Sequence, residues 1–257
     1  MTQHPLAATL LLLSAAAHAA DSDGDDRGDA ITPYRPSVSS PAQLPVPGQL
    51  EVELGGLRAR NDDGRRTSLP YALKLAFTKE WGLVLGGEGH VWARDDSGRT
   101  QGLGDTTLVL KHAWLVDDAT AFGAELGAKL PTAKDDIGSG RADYTLNTIF
   151  SRDIGPVHLD ANLNATRFGR VDAGAGRTQF GASASFSGAL AEHWGLTGEV
   201  SGTRRSGADS GVQVLSAITY SPSKRLTFDI GIARSIRPRP ATTQVFAGMV
   251  FPLAKLW

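Results

Sequence analysis

The chain has 257 residues, with 27 acidic and 26 basic side chains, a formal net charge of −1 and no cysteine. That balance gives no electrostatic pull toward nucleic acid, and without cysteine there is no disulfide scaffold. No apolar run beyond the N-terminus approaches the roughly 18 to 20 residues that a membrane helix needs, so helical spans are excluded.

In chain order, Leu6 to Ala17 forms an apolar segment built on Leu10, Leu11, Leu12 and Leu13, and Ala17-His18-Ala19 supplies a small-x-small pattern. Residues 1–19 are expected to be a signal peptide cut before Ala20, although no Lys or Arg precedes the apolar segment. Residues 20–47 follow. They are acidic through Asp21, Asp23, Asp25, Asp26 and Asp29, and stiffened by Pro33, Pro36, Pro41, Pro45 and Pro47. Proline offers no amide to a ladder, so this stretch reads as a disordered periplasmic leader with no chemistry of its own.

The remainder, residues 48–257, repeats one unit: an alternating segment, a short turn, another alternating segment, a longer polar loop. Segment 157–166 is the clearest, with Val157, Leu159, Ala161, Leu163 and Ala165 on one face and His158, Asp160, Asn162, Asn164 and Thr166 on the other. That is period two without a break. The same reading predicts strands at 49–60, 66–78, 82–94, 104–116, 119–130, 142–153, 157–168, 177–190, 195–205, 211–221, 225–235 and 242–251. Most match the roughly 9 to 11 residues of a tilted membrane strand.

Tight connections (79–81, 117–118, 154–156, 191–194 and 222–224) alternate with longer ones (61–65, 95–103, 131–141, 169–176, 206–210 and 236–241). Short periplasmic turns and long outer loops are how outer-membrane barrels are wired. The fold expected is all-β: a transmembrane antiparallel β-barrel of about twelve strands. Trp81, Trp114, Trp194 and Trp257 fall at the periplasmic end and Trp92 near the outer rim, as expected of interfacial aromatic girdles. Trp257 ending an amphipathic strand looks like the signal read by the barrel assembly machinery. Pro252 and Lys255 depart from that pattern, so the last residues are expected to be a non-pairing tail.

Three stretches carry a resemblance. Gly102-Leu103-Gly104-Asp105 opens the strand that holds Lys111. Lys129-Leu130-Pro131-Thr132-Ala133 ends the next one. Gly138-Ser139-Gly140 then leads to Asp143 and a new strand. Together they resemble the outer-membrane transporter family associated with the meta-pathway of phenol degradation, over roughly residues 49 to 257. The resemblance implies a pore or uptake role for small aromatic or hydrophobic compounds.

By parity the lumen receives Glu51 and Glu53, then Lys74, then Glu88 with His90, then Lys111, then Glu125 with Lys129, and further round Asp160, Asn162, Glu199 and Asp229. The sign alternates across the first five strands, which lie about 4.8 Å apart, so these groups can pair laterally. One reading is a ladder of ion pairs that holds a narrow barrel together. The other is a polar conduit that orients a solute. The candidate solute pathway is thus Glu53, Lys74, Glu88, His90, Lys111, Glu125, Lys129, Asp160, Asn162 and Asp229.

Enzymatic sites are weak. No GxSxG, HExxH or phosphate-loop pattern occurs. His90 has no serine on the adjacent inward rows, His112 shares parity with Trp114, His158 sits near the periplasmic mouth and His193 lies in a turn. Asp95-Asp96 and Asp135-Asp136 read as solvated loop residues rather than metal ligands. The expectations are therefore a passive pore or transporter in the outer membrane, without cofactor, metal or nucleic acid. Its partners would be lipid, lipopolysaccharide, the assembly machinery and a small solute, and it would act as a monomer. The alternatives are an outer-membrane lipase or protease, or a structural or adhesive barrel.

Overall fold

Strict apolar–polar alternation leaves the chain little choice but extended strands, because only a strand sends successive side chains to opposite faces. The computed structural model describes residues 29–96, 98–134, 137–238 and 240–257. The expected signal peptide, the first part of the leader and Asp135-Asp136 lie outside these residues. The strands are β1 Gln49–Arg60, β2 Gly64–Ala76, β3 Trp81–Asp95, β4 Gly98–Gly102, β5 Thr106–Leu115, β6 Thr120–Leu130 and β7 Asp143–Ile154. They continue as β8 Val157–Arg167, β9 Thr178–Ala191, β10 Trp194–Arg205, β11 Gly211–Ser223, β12 Leu226–Arg237 and β13 Thr243–Lys255.

Neighbours pair antiparallel throughout, and β1 pairs with both β2 and β13, which closes the sheet on itself. Only closed barrels and helices satisfy every backbone polar group inside a bilayer. β3 pairs with β5 over Trp81–Gly87 and with β4 over Val91–Asp95. β4 and β5 are therefore two pieces of one barrel strand, interrupted at Leu103–Asp105, and the wall is a closed barrel of twelve strands. The interruption within 95–105 was not visible in the alternation. Gly104 sits in it, its amide donating to the Glu88 carbonyl at 3.0 Å. A Cβ there would lie 2.7 Å from that of Glu88, so the approach requires glycine.

The faces follow the pleat. Leu126, Leu163 and Ile230 are 59%, 66% and 64% exposed on the outside, whereas Asp160 and Asp229 are buried inside. Trp81, His112 and Trp114 stack on the outer face at the periplasmic rim, with ring centroids 4.1 Å apart in each pair, and Trp194 packs beside Tyr220 at 4.7 Å.

Three expectations change. β13 runs to Lys255, which pairs with Gln49 across a bulge, so the end of the chain is not a loose tail. A register shift between Ser68 and Pro70 inverts the parity of β3 above Glu88: Val91 turns inward, and His90 stacks on outward-facing Trp92 at 4.3 Å. His90 is not a lumen residue. The largest change is the leader. From Asp29 onward it is an ordered segment inside the barrel, in contact with nearly every strand of the wall.

Candidate lumenal site

The leader enters at the periplasmic end, where the Ile31 amide donates to the Lys224 carbonyl at 2.9 Å and Lys255 reaches Asp29 at 3.0 Å. It rises to mid-barrel at Val38–Ser40, returns, and turns at Gly48 into β1. Prolines 33, 36, 41, 45 and 47 carry no N–H, which leaves few amides to satisfy. Wall side chains take six of those that remain. Thr32 donates to Glu51 at 3.1 Å, Tyr34 to Glu53 at 2.7 Å, and Val38 and Ser39 to Glu199 at 2.8 and 2.9 Å. Ser40 donates to Asn162 at 2.7 Å and Ala42 to Ser151 Oγ at 2.8 Å.

Carbonyls of the leader are met by donors of the opposite kind. Lys74 Nζ donates to Thr32 O, Lys111 Nζ to Pro41 O, and Asn162 Nδ2 to Ser40 O at 2.9 Å. The wall thus replaces the ladder partner that an isolated proline-rich strand lacks, and hydrogen bonds involving charged groups contribute about 1.5 to 3 kcal/mol each.

Two leader side chains complete the fit. Arg35 forms a two-pronged pair with Asp229, Nε to Oδ2 and Nη2 to Oδ1, both at 2.9 Å. Its guanidinium lies over Gly55 and Gly248, where added Cβ atoms would come within 2.7 and 2.5 Å of it. Those glycines provide room for the side chain. The Tyr34 ring lies beneath both buried ammonium groups, 4.3 Å from Lys74 Nζ and 4.1 Å from Lys111 Nζ, a cation–π arrangement strengthened by desolvation. Burial pushes the Tyr34 hydroxyl well above the usual phenol range, so it stays a neutral donor to Gln43 O at 3.0 Å.

The alternating charges expected on the inner wall are there, but they form separate groups. Lys74 pairs with Glu53 at 2.7 Å and Glu51 at 3.1 Å. Lys111 pairs with Glu125 at 3.1 Å, and Asn147 links Glu125 at 2.9 Å to Asn162 at 3.4 Å. Tyr34 of the leader, and not a wall residue, joins the Lys74 and Lys111 groups. Glu88 stands apart in the outer half, paired with Arg66. Asp160 accepts from Ser151 and contacts His158, whose other ring nitrogen faces Asp153.

Lys129 belongs to a further group. It reaches Asp105 at 3.0 Å, Asp143 at 2.9 Å and Ser139 at 2.8 Å, while Asp105 also accepts from the Ala133 amide at 3.0 Å. The three stretches that looked like family motifs thus converge on one node at the outer mouth. Lys134 N donates to Leu103 O at 3.1 Å, which folds loop 131–134 against the strand interruption.

Above the leader, Leu57, Leu215, Ala217, Ala233 and Phe246 form an apolar patch on the inner wall. Tyr34, Arg35, Arg66, Asn147 and Ser151 were not singled out in the sequence, and Asp105 and Asp143 entered only as parts of the family-like stretches. Inward glycines at 55 and 248 were a hint of an inserted segment in the sequence.

Comparison with known proteins is consistent with this geometry. Residues 24–251 match the family described as "Putative MetA-pathway of phenol degradation". No curated protein matches the sequence. Among solved structures, the NanC porin is similar with a TM-score of 0.59 at 9% identity, over 79% of this chain and 100% of that one. The KdgM porin in complex with disordered oligogalacturonate gives 0.55 at 9% identity, over 79% and 99%. The β domain of the Bordetella autotransporter BrkA gives 0.52 at 11% identity, over 81% and 100%. At these identities the likeness is one of fold, that of an outer-membrane barrel. With nearly its whole length matched, the chain belongs to the family of the MetA pathway of phenol degradation.

Proposed function

We propose that this barrel is an outer-membrane pore or transporter for small aromatic or hydrophobic solutes, and that its own leader is the plug of the pore. The observation that carries the reading is the leader's fastening: the charged side chains that would line an open conduit spend their hydrogen bonds on residues 32–42. A solute moving through the periplasmic half would exchange with a segment held by individually breakable polar contacts. The apolar patch around Phe246 lies directly above and offers an aromatic ring a surface to rest on before the plug. Membership of the phenol-degradation family points to the same solute class.

The pore reading is favoured over an outer-membrane hydrolase by the arrangement at the periplasmic mouth. Ser151 donates to Asp160, and His158 sits between two aspartates, so the carboxylate separates serine from imidazole. A serine nucleophile needs the opposite order.

Liposome swelling with phenol-sized aromatic solutes tests the proposal, comparing the mature chain with one lacking residues 29–46. Slow entry through the first and faster entry through the second is the expected result. Folded barrels that pass no solute in either form would overturn it.

A further inference from the structure

Along the outer rim, register places like charges side by side. Arg60 of β1 pairs with Arg65 of β2, Arg65 with Arg94 of β3, and Arg94 with Arg99 of β4. In the row below, Arg58 lies opposite Thr67, Thr67 opposite Trp92 and Trp92 opposite Gln101. Leu57, Ser68 and Val91 face the lumen, so both of these rows face outward. Arg58, Arg60, Arg65, Arg94 and Arg99 are all exposed. Arg58, Arg65, Arg94 and Arg99 border an open groove of about 600 Å³ that is also lined by Trp92, Thr100 and Gln101, and Arg60 lines the groove next to it.

Like charges directly opposite one another on neighbouring strands, about 4.8 Å apart, destabilise a sheet. An inward arginine on the same strands, Arg66, has its carboxylate in Glu88. For the outward row, no carboxylate among the described residues lies within ion-pair distance. Asp62, Asp63, Asp95 and Asp96 line the adjoining groove at the hairpin tips together with Arg58, Arg60, Arg65 and Arg94.

Height decides what meets the row. Trp81 and Trp92 stand on one strand, and at about 3.3 Å per residue and a tilt near 40° they are separated by roughly 28 Å along the membrane normal. That matches an apolar band about 25 Å tall between two aromatic girdles. The arginine row lies one step above Trp92, at the level of the outer-leaflet headgroups and facing lipid.

We propose that Arg58, Arg60, Arg65, Arg94 and Arg99 form a binding site for the phosphate groups of lipopolysaccharide, with Trp92 packed at the acyl-chain boundary below. The planar guanidinium fork matches a phosphate in two-pronged fashion, and an anion lying across the row removes the repulsion between strands.

The test uses the full mature barrel in detergent, delipidated and then offered lipopolysaccharide, with binding read by native mass spectrometry. The comparison protein carries Arg65→Gln, Arg94→Gln and Arg99→Gln together. The wild type is expected to retain lipopolysaccharide, and the variant to bind it at least about tenfold more weakly. Its bilayer conductance should be unchanged, because the row lies outside the lumen, and that shows the variant is folded. Dephosphorylated lipopolysaccharide should bind the wild type as weakly as intact lipopolysaccharide binds the variant. Equal retention by wild type and variant would overturn the site. Equal affinity for phosphatidylglycerol vesicles or for inorganic phosphate would overturn its assignment to lipopolysaccharide.

Discussion

The lower lumen and the outer rim use charge in opposite ways. In the lower lumen, each buried base has acids on a neighbouring strand: Lys74 and Lys111 are fully buried yet paired with Glu51, Glu53 and Glu125. Residual donors and acceptors are taken up by the leader. At the rim, arginines face arginines across four segments and remain exposed. A sheet that sets opposite signs on neighbouring strands can satisfy those charges and then hold an internal segment. A sheet that repeats one sign is completed only by something from outside. Burial sharpens the difference, since an unpaired charge in the lumen costs several kcal/mol whereas one at the rim is hydrated.

The contrast can be broken from the inside. Removing residues 29–46 should have the largest effect: single-channel conductance in planar bilayers should rise several-fold, water should take the place of the leader beside Asp229 and Glu199, and the Lys74 and Lys111 ion pairs, which lie wholly within the wall, should help keep the barrel assembled. An unchanged conductance would mean that the leader does not obstruct the path. Lys111→Met comes next. It deletes the bond to Pro41 O and the charge above Tyr34, and it leaves Glu125 only Asn147, a loss of about 3 to 5 kcal/mol unless water enters. Altered conductance and ion selectivity with a folded barrel are expected; unaltered recordings would reduce the pair to a wall fastener.

Arg35→Ala should act more mildly, since Glu53, Glu199 and Asn162 still hold the flanking leader residues. Faster hydrogen exchange at the amides of residues 34–40 is the expected readout, and protection equal to wild type would show that the Asp229 pair does not anchor the plug. The smallest effect is expected from Lys129→Met at the outer mouth. Its side chain is 27% exposed and water can replace the ammonium beside Asp105 and Asp143. Faster proteolysis within loop 131–141, without a change in conductance, would fit that role.

Much of this architecture was legible in the residues. Alternation at 157–166 fixed strand and face together, because the pleat allows no other assignment once one face is apolar. Alternating connection lengths supplied the wiring of a closed barrel. His90 escaped the reading because one extra residue in a bulge inverts everything beyond it, and the interruption between β4 and β5 escaped because a glycine-rich break looks like a loop.

The leader shows where local reasoning stops. Its prolines remove the amides that make a strand recognisable, so by itself it reads as unstructured. Its partners are Glu51, Asn162, Glu199 and Asp229, the last of them 194 residues away from Arg35. Apart from β3 beyond its bulge, the sequence by itself determined which residues line the inside of the wall and which face lipid, because that follows from period-two geometry within each strand. Only the tertiary structure decided what fills the inside, because those contacts exist only once the barrel has closed around the leader and brought distant carboxylates, lysines and glycines to one height.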